Sequence, residues 1–413
     1  MKAQIITIGD ELLIGQTVDT NSAWMGAELS KLGFDIIRKI SIHDRREDIL
    51  RTLEEVTGES EVVLITGGLG PTSDDITKHV LCEFFNTRLV TNNDVLVMIE
   101  DMIKRRNYPM NENNRRQAEV PESCRVLSNA AGTAPGMWFE KNSTIFVSMP
   151  GVPHEMKYIM NEHVLPELAK RFSSQSIIHR NIMTYGEMEA KLAETLTSFE
   201  KELPEEIKLA YLPGSGIIKL RLTASGPDKR LLSGLVNEQV RKLYNIIPGL
   251  IFGEDEETFE MIIGRMLVEK HQTMCTAESC TGGRIANMIT SVPGSSSYYK
   301  GSVIAYDNSI KNEVLGIPAE ILDKFGAVSR ESVERMAEGA RRLLKTDYSV
   351  ATSGIAGPDG GSESKPVGTV WIAASSDSGT ISETHLFWRD RIANINRFSN
   401  AALHLLWKKI SGD

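Results

Sequence analysis

The chain has 413 residues, 41% apolar and 24% charged, with 46 Lys and Arg against 55 Asp and Glu for a net charge of −9. That length exceeds what one hydrophobic core normally serves, so roughly two or three domains are expected. The acidic balance argues against a nucleic-acid binder, and no apolar stretch approaches the roughly 20 residues of a membrane span.

The chain opens with Gln4 to Ile8 as a buried-type strand, too short an apolar run for a signal peptide. Val62 to Thr66 is a second strand of the same kind, and Ile145 to Ser148 a third, followed by a helix through Leu168. Each ends near glycine and leads into a helical segment, the order of an α/β domain with a parallel sheet, whose ligands gather outside the carboxyl ends of the strands. This first domain is closed at residue 172. The basic clusters Lys104-Arg105-Arg106 and Arg115-Arg116 read as solvated helix faces.

Residues 173–252 read as a strand (Ile177 to Thr184), a helix carrying Met188, Leu192, Leu196 and Phe199, two strands (Ile207 to Leu212, Ile217 to Thr223) about the turn Pro213-Gly214-Ser215-Gly216, and a helix from Asp228 to Tyr244. This is a small α+β module with no catalytic-looking cluster, so packing or dimerisation is its expected role. The acidic stretch Gly253 to Glu257 reads as a linker. The third domain, 257–413, has strands at Thr273 to Thr276, Val303 to Tyr306, Tyr348 to Thr352, Val370 to Ala374 and Thr384 to Phe387. Ser329 caps a helix bearing Val333, Met336, Ala337, Ala340 and Leu344 on one face, and a helix from Ala393 to Trp407 closes the chain. Cys82, Cys124, Cys275 and Cys280 form no C-x-x-C pair, and a chain of this size needs no disulfide framework; a reducing cytoplasm is the expected location.

The chemistry of the third domain starts at Ala277-Glu278-Ser279-Cys280-Thr281-Gly282-Gly283, between a strand and a helix. A hydroxyl at such a turn suits a nucleophile, because the N–H groups of the helix start are free to hold an oxyanion or a phosphate. The plain alternative is that Ser279 or Thr281 only caps the helix. Serine needs a base. His271 and His385 are poorly placed for one, whereas Lys311, at the exit of a strand, serves if burial lowers its pKa; otherwise it is a surface lysine. Cys280 is a competing nucleophile that spacing leaves open. The loop from Thr352 to Gly368, containing Ser353, Gly354 and Gly357, is richer in glycine than a plain connection needs and reads as a binding loop.

"TAESCTGG", "YDNSIKNEVLGIP", "AVSRESVERMAEGA" and "SGIAGPDGGSESKPVGTVW" together resemble the nicotinamide mononucleotide amidohydrolase (PncC-type) domain of the competence/damage-inducible CinA family. The resemblance implies hydrolysis of the carboxamide of nicotinamide mononucleotide to nicotinate mononucleotide and ammonia, without a cofactor. By motif it puts the nucleophile on Ser279, the base on Lys311, an auxiliary group on Tyr306, and substrate contacts on Thr281, Gly282, Gly283, Ser353, Gly354 and Gly357.

In the first domain, Gly67-Gly68-Leu69-Gly70-Pro71-Thr72-Ser73-Asp74-Asp75-Ile76-Thr77-Lys78 follows a strand and precedes a helix. Its glycines let backbone N–H groups approach a phosphate. Asp74 and Asp75 would repel a bare polyphosphate, which points to a bridging divalent cation, magnesium, manganese or cobalt; either carboxylate could instead be a helix cap. Asp10, Glu11, Asp19 and Asn21 end the first strand at the same expected sheet edge, and the loop from Asn129 to Gly136 adds backbone donors. "GDELLIGQTVDTNSAWM", "TGGLGPTSDDIT" and "MPGVPHEM" resemble the molybdopterin-binding, MogA/MoeA-like three-layer domain of CinA proteins. That resemblance implies a second activity, metal-dependent cleavage of ADP-ribose, with molybdopterin binding as its rival. Residues 173–252 resemble the family's KH-type linker, and the resemblance implies a homodimer acting on small nucleotides. The competing hypothesis is a non-catalytic competence or DNA-damage scaffold.

Overall fold

Lys2–Ile8 (β1) is buried at every position after Lys2, as expected of a parallel strand covered on both faces. The computed structural model describes residues 1–70, 72, 75–105, 108–172, 176–388 and 390–412; Asp74 lies outside them. The chain forms two compact units, Met1–His179 with Ala224–Gly234, and Arg180–Thr223 with Leu235–Asp413.

In the first unit β1 pairs in parallel with Asp35–Ile42 (β2) and Val62–Thr66 (β3). Leu89–Thr91 (β4) and Glu119–Pro121 (β5) form a separate antiparallel ribbon. Arg125–Leu127 (β6), Gly136–Lys141 (β7) and Thr144–Met149 (β8) complete a six-stranded sheet of order β2-β1-β3-β8-β7-β6. Two apolar clusters, one around Ile5, Leu64 and Val147 and the other around Ile6, Val63 and Phe146, cover its two faces, giving the three layers expected. β2 buries only Ile42 and carries Asp35, Arg38 and Lys39, which hid that strand from a search for apolar runs.

Ser176–Tyr185 (β9), Ile207–Gly214 (β10), Ile217–Gly226 (β11) and Ile251–Glu254 (β12) form a sheet of order β10-β11-β9-β12. The acidic linker reading is corrected here: Gly253 and Glu254 belong to β12 and pair with Met183 and Ile182 of β9. Burial of Ile251 and Phe252 draws the segment into the sheet, and Arg180 bridges Glu254 (3.2 Å) and Asp255 (3.1 Å).

The C-terminal sheet comprises Met274–Glu278 (β13), Tyr299–Ile304 (β14), Tyr348–Gly354 (β15), Thr369–Ser376 (β16) and Gly379–Leu386 (β17), in the order β14-β13-β15-β16-β17. β13 lies parallel to β14 and β15, and the last two strands run antiparallel. The expected strand Val303 to Tyr306 is therefore displaced toward its start, and Tyr306 lies beyond it. On one face the helix Arg391–Ser411 packs with Phe259, Ile263 and Ile285; on the other lies the helix Arg330–Leu344, capped by Ser329 as expected.

His404, 6% exposed, lies in the first of these cores against Tyr185, Phe259 and Trp407. Burial lowers its pKa to about 4. An unfolded chain takes up the proton near the ordinary value of about 6.5, so stability falls as pH drops through that value and levels off below about 4. The expected loss is about 3.5 kcal/mol at most, from roughly two and a half pKa units at about 1.4 kcal/mol each. Urea titrations of wild type and His404→Phe from pH 7 to 4 check it: the variant should lack this component of the decline.

Candidate active site

Ser279 follows β13 directly, and its N–H donates to Thr352 O across the sheet (3.0 Å). The helix begins only at Arg284. Glu278, fully buried at the end of β13, accepts from the N–H groups of Gly283 (3.0 Å), Ile285 (3.1 Å) and Ala286 (2.8 Å). The expectation that this helix start offers free donors to an oxyanion or phosphate is thus corrected. Buried N–H groups need partners, and a carboxylate from the chain itself supplies them at the positive end of the helix.

A cavity of about 190 Å³ opens beside this turn, lined by Ser279, Cys280, Tyr306, Asn308, Lys311, Ser353, Gly354 and Arg391 together with Ala327, Val328 and Ala356. Thr281, Gly282, Gly283 and Gly357 do not line it. Thr281 Oγ1 is hydrogen-bonded to Thr352 Oγ1 (2.8 Å), and Gly282 N–H donates to Ser279 O (3.2 Å). Gly357 is tied to the site indirectly, its carbonyl accepting from Arg391 Nη1 (2.7 Å).

Lys311 sits on the short helix Asn308–Glu313, which Asp307 caps by accepting from Ser309 N–H. It is 1% exposed, donates from Nζ to Tyr306 O (3.0 Å), and makes no ion pair among the described residues. Burial holds its pKa below the ordinary lysine range, outweighing the pull of Asp307. Burial also pushes the Cys280 thiol up to about 12, so at neutral pH it is a thiol and not a thiolate. Ser353 Oγ donates to Ala327 O (2.7 Å), and Tyr306 OH, largely exposed, accepts from Arg391 Nη2 (3.4 Å). The lining contains no carboxylate and no imidazole.

In the first unit the two glycine-flanked clusters do meet at one sheet edge. Gly67 has φ 113°, and a Cβ there would lie 2.1 Å from Ile8 O, so only glycine lets the chain leaving β3 cross the end of β1 this closely. The clusters nevertheless face separate cavities. Glu11, Asp19 and Asn21 line one of about 110 Å³ with Thr66 and Gly151. There Asp19 accepts from Ser22 N–H as a helix cap (2.9 Å), and Asn21 Nδ2 donates to Gly151 O (2.7 Å). Asp10 pairs on the surface with His43 (2.8 Å), and that hydrogen bond keeps its carboxyl below the usual range. Gly70 and Asp75 line the other cavity, of about 460 Å³, with Lys78, Arg116, Gln117 and Glu119.

The carboxylate of Asp75 accepts from Gly70 N–H (2.8 Å), Thr72 N–H (3.0 Å) and Thr72 Oγ1. Thr77 is fully buried, with Oγ1 where a side chain on Gly68 would sit. The loop from Asn129 is engaged internally, Asn129 Nδ2 donating to Ala134 O and Glu155 Oε2. Among the described residues no three His, Cys, Asp or Glu side chains converge as a metal site would require.

A family model described as CinA C-terminal domain matches residues 256–410, one described as Probable molybdopterin binding domain matches 4–170, and one described as Damage-inducible protein CinA KH domain matches 179–253. A CinA-like protein of Flavobacterium psychrophilum is 47% identical over 99% of this chain and 99% of its own length. The chain belongs to the CinA family. A CinA-like protein of Cytophaga hutchinsonii is 46% identical over 99% of this chain and 98% of its own. The crystal structure of competence/damage inducible protein CihA from Agrobacterium tumefaciens is 34% identical and covers 36% of this chain and 94% of its own, with a TM-score of 0.35.

This CinA-family chain thus joins a MogA-like N-terminal domain, a KH-type middle module and the CinA C-terminal domain. Among the described residues no helix is long and apolar enough to cross a membrane. Arg391 is a charged lining residue that sequence reading missed. It begins the last helix, directly after the cap Asp390, and it bridges the glycine loop and Tyr306. The only sequence signal was an arginine next to an N-cap, which is commonplace.

Proposed function

We propose that this CinA-family chain is a nicotinamide-nucleotide amidase that hydrolyses nicotinamide mononucleotide to nicotinate mononucleotide and ammonia. The observation that carries the reading is the composition of the C-terminal cavity: among the described residues Lys311, buried with its pKa lowered, is the only amine base that shares it with the Ser279 hydroxyl. Neutral Lys311 takes the proton of Ser279 Oγ, and the alkoxide adds to the carboxamide carbon. As the tetrahedral species collapses, Lys311 returns that proton to the departing nitrogen, ammonia leaves, and an ester to Ser279 remains. Water, deprotonated by the same amine, hydrolyses the ester and regenerates the hydroxyl. A cavity of about 190 Å³ suits the pyridine carboxamide, with the ribose phosphate toward Arg391, whose guanidinium complements a phosphate.

The route through Ser279 and Lys311 calls on no metal, and Cys280, a soft donor in the lining, stays a thiol at neutral pH, so the reaction should proceed in a chelator. Ammonia release from nicotinamide mononucleotide by the full chain, with and without EDTA, is the test. Equal, saturable release in both supports the reading; no release, or release only with added metal, overturns it.

For the N-terminal domain, the expected ADP-ribose cleavage requires a divalent cation, and the described residues do not fit one. Asp75, the described member of the acidic pair, already accepts three donors of its own loop. We derive no metal-dependent step there.

A further inference from the structure

A serine at the start of a helix ordinarily spends its hydroxyl as a cap. Here the cap position is Gly283, which has no side chain to offer, and Thr281 Oγ1 is bonded to Thr352 Oγ1 (2.8 Å). The donors of the first turn go instead to Glu278, one residue before the serine. Its Oε2 accepts from the N–H groups of Gly283 (3.0 Å) and Ile285 (3.1 Å), and its Oε1 from that of Ala286 (2.8 Å). Glu278 is 0% exposed and forms no ion pair among the described residues. Burying a charge is unfavourable unless hydrogen bonds repay it. A neutral Ser or Asn cap would serve a helix start without that cost, so capping alone does not explain a carboxylate here.

The carboxylate closes a loop around the nucleophile. Ser279, Cys280, Thr281 and Gly282 lie between Glu278 and the N–H groups it holds. The main chain of Glu278 is pinned on both sides, paired with Ile304 of β14 and Thr352 of β15, and its carbonyl accepts from Ala305 N–H (2.8 Å). Gly282 and Gly283, at φ 58° and 95°, reverse the chain. The bonds that hold Ser279 are main-chain ones, its N–H to Thr352 O (3.0 Å) and its carbonyl from Gly282 N–H (3.2 Å). The direction of its hydroxyl is therefore inherited from the turn, and Glu278 shuts the turn. Both carboxylate oxygens are in use. Glutamine has one acceptor oxygen, and whichever way its amide flips, the NH2 group faces an N–H.

We infer that Glu278 is a positioning residue for Ser279: by taking the helix-start donors it holds the bend that aims the serine hydroxyl into the cavity and spares that hydroxyl from capping. The inference rests on the amidase reading above and adds to it a residue that touches no substrate.

The test is steady-state ammonia release by the full-length Glu278→Gln chain, with a thermal melt of the same preparation. A small misplacement of a reacting group costs about a hundredfold in rate, so kcat should fall by about that factor while KM stays within about twofold. Burial, Asp307 and Cys280 act on the pKa of Lys311 and Glu278 does not, so the pH midpoint of kcat/KM should stay where it is in the wild type. Labelling of Ser279 by a fluorophosphonate, which needs the aimed hydroxyl but no nucleotide, should slow in parallel. Gly282→Ala strains the same turn, because a φ of 58° suits glycine, and its Cβ meets open space; it should lower kcat with KM unchanged. Turnover of Glu278→Gln within about threefold of wild type, a loss carried by KM alone, or a displaced pH midpoint would overturn the inference. If Glu278→Gln does not fold, Gly282→Ala decides, and full turnover by that variant overturns it. A wild-type chain that labels at Ser279 yet releases no ammonia sinks the amidase reading alone, and the labelling rate of Glu278→Gln then decides this one.

Discussion

Ser279→Ala and Lys311→Met should each lower the rate of ammonia release from nicotinamide mononucleotide roughly thousandfold or more, while Cys280→Ala keeps most of it. The size follows from losing a covalent route or its base, because residues acting as a unit fail together. Each substitution also tests a rival. The Cys280 thiol is held near 12 by burial, so it stays protonated where Lys311, whose pKa burial lowers, deprotonates more readily. The base works as the free amine, so kcat/KM should rise with pH through the pKa of Lys311 and reach its plateau below the ordinary lysine value. Lys311→Arg should be inactive at every pH tested, because a guanidinium does not give up its proton. A serine variant that deamidates at the wild-type rate, or a cysteine variant that does not, would reassign the nucleophile.

Gly339→Ala should destabilise the C-terminal domain by about 1–3 kcal/mol, the range of overpacked cores. On propensity alone the sign would be opposite, since alanine in a helix interior gains about 1 kcal/mol over glycine. Gly339 sits on the buried face of Arg330–Leu344, and a Cβ there would lie 2.2 Å from the backbone oxygen of Leu315. A backbone atom cannot rotate aside as a side chain can. Leu315 and Ile317 follow the helix of Lys311 directly and pack with Val333, Met336 and Ala340, so the same methyl group should displace the base. Thermal melts and ammonia release on one preparation check both effects. A variant as stable as wild type would show that the two segments can part.

Wherever a strand is buried on both faces, the fold was legible in sequence: β1, β3 and β8 are mostly apolar, almost continuously buried, and each is followed by glycine or proline. It was illegible where burial is one-sided, as in β2, or where charge masks an edge strand, as at Gly253 and Glu254. The C-terminal site was legible as motifs, and Ser279, Lys311, Tyr306, Ser353 and Gly354 do gather around one cavity. What spacing could not give is direction. Glu278 reads as part of the turn before the serine, yet it ends β13 and its carboxylate reaches forward to the donors that the motif seemed to leave free. Arg391 comes from the far end of the chain, joined to the site by the return of the last helix rather than by any local pattern. Asp75 shows a related effect, because a turn can satisfy its own carboxylate.

The core around Phe259 has a practical consequence for dissecting this chain. Tyr185 and Phe252, from β9 and β12, complete the aromatic packing around Phe259, although both precede the region matched as the C-terminal domain. A fragment cut at that boundary would bare a sticky ring-lined surface to water, with self-association as the expected result. Expression of this half alone is better served by keeping residues 180–255 attached, which retains both Tyr185 and Phe252.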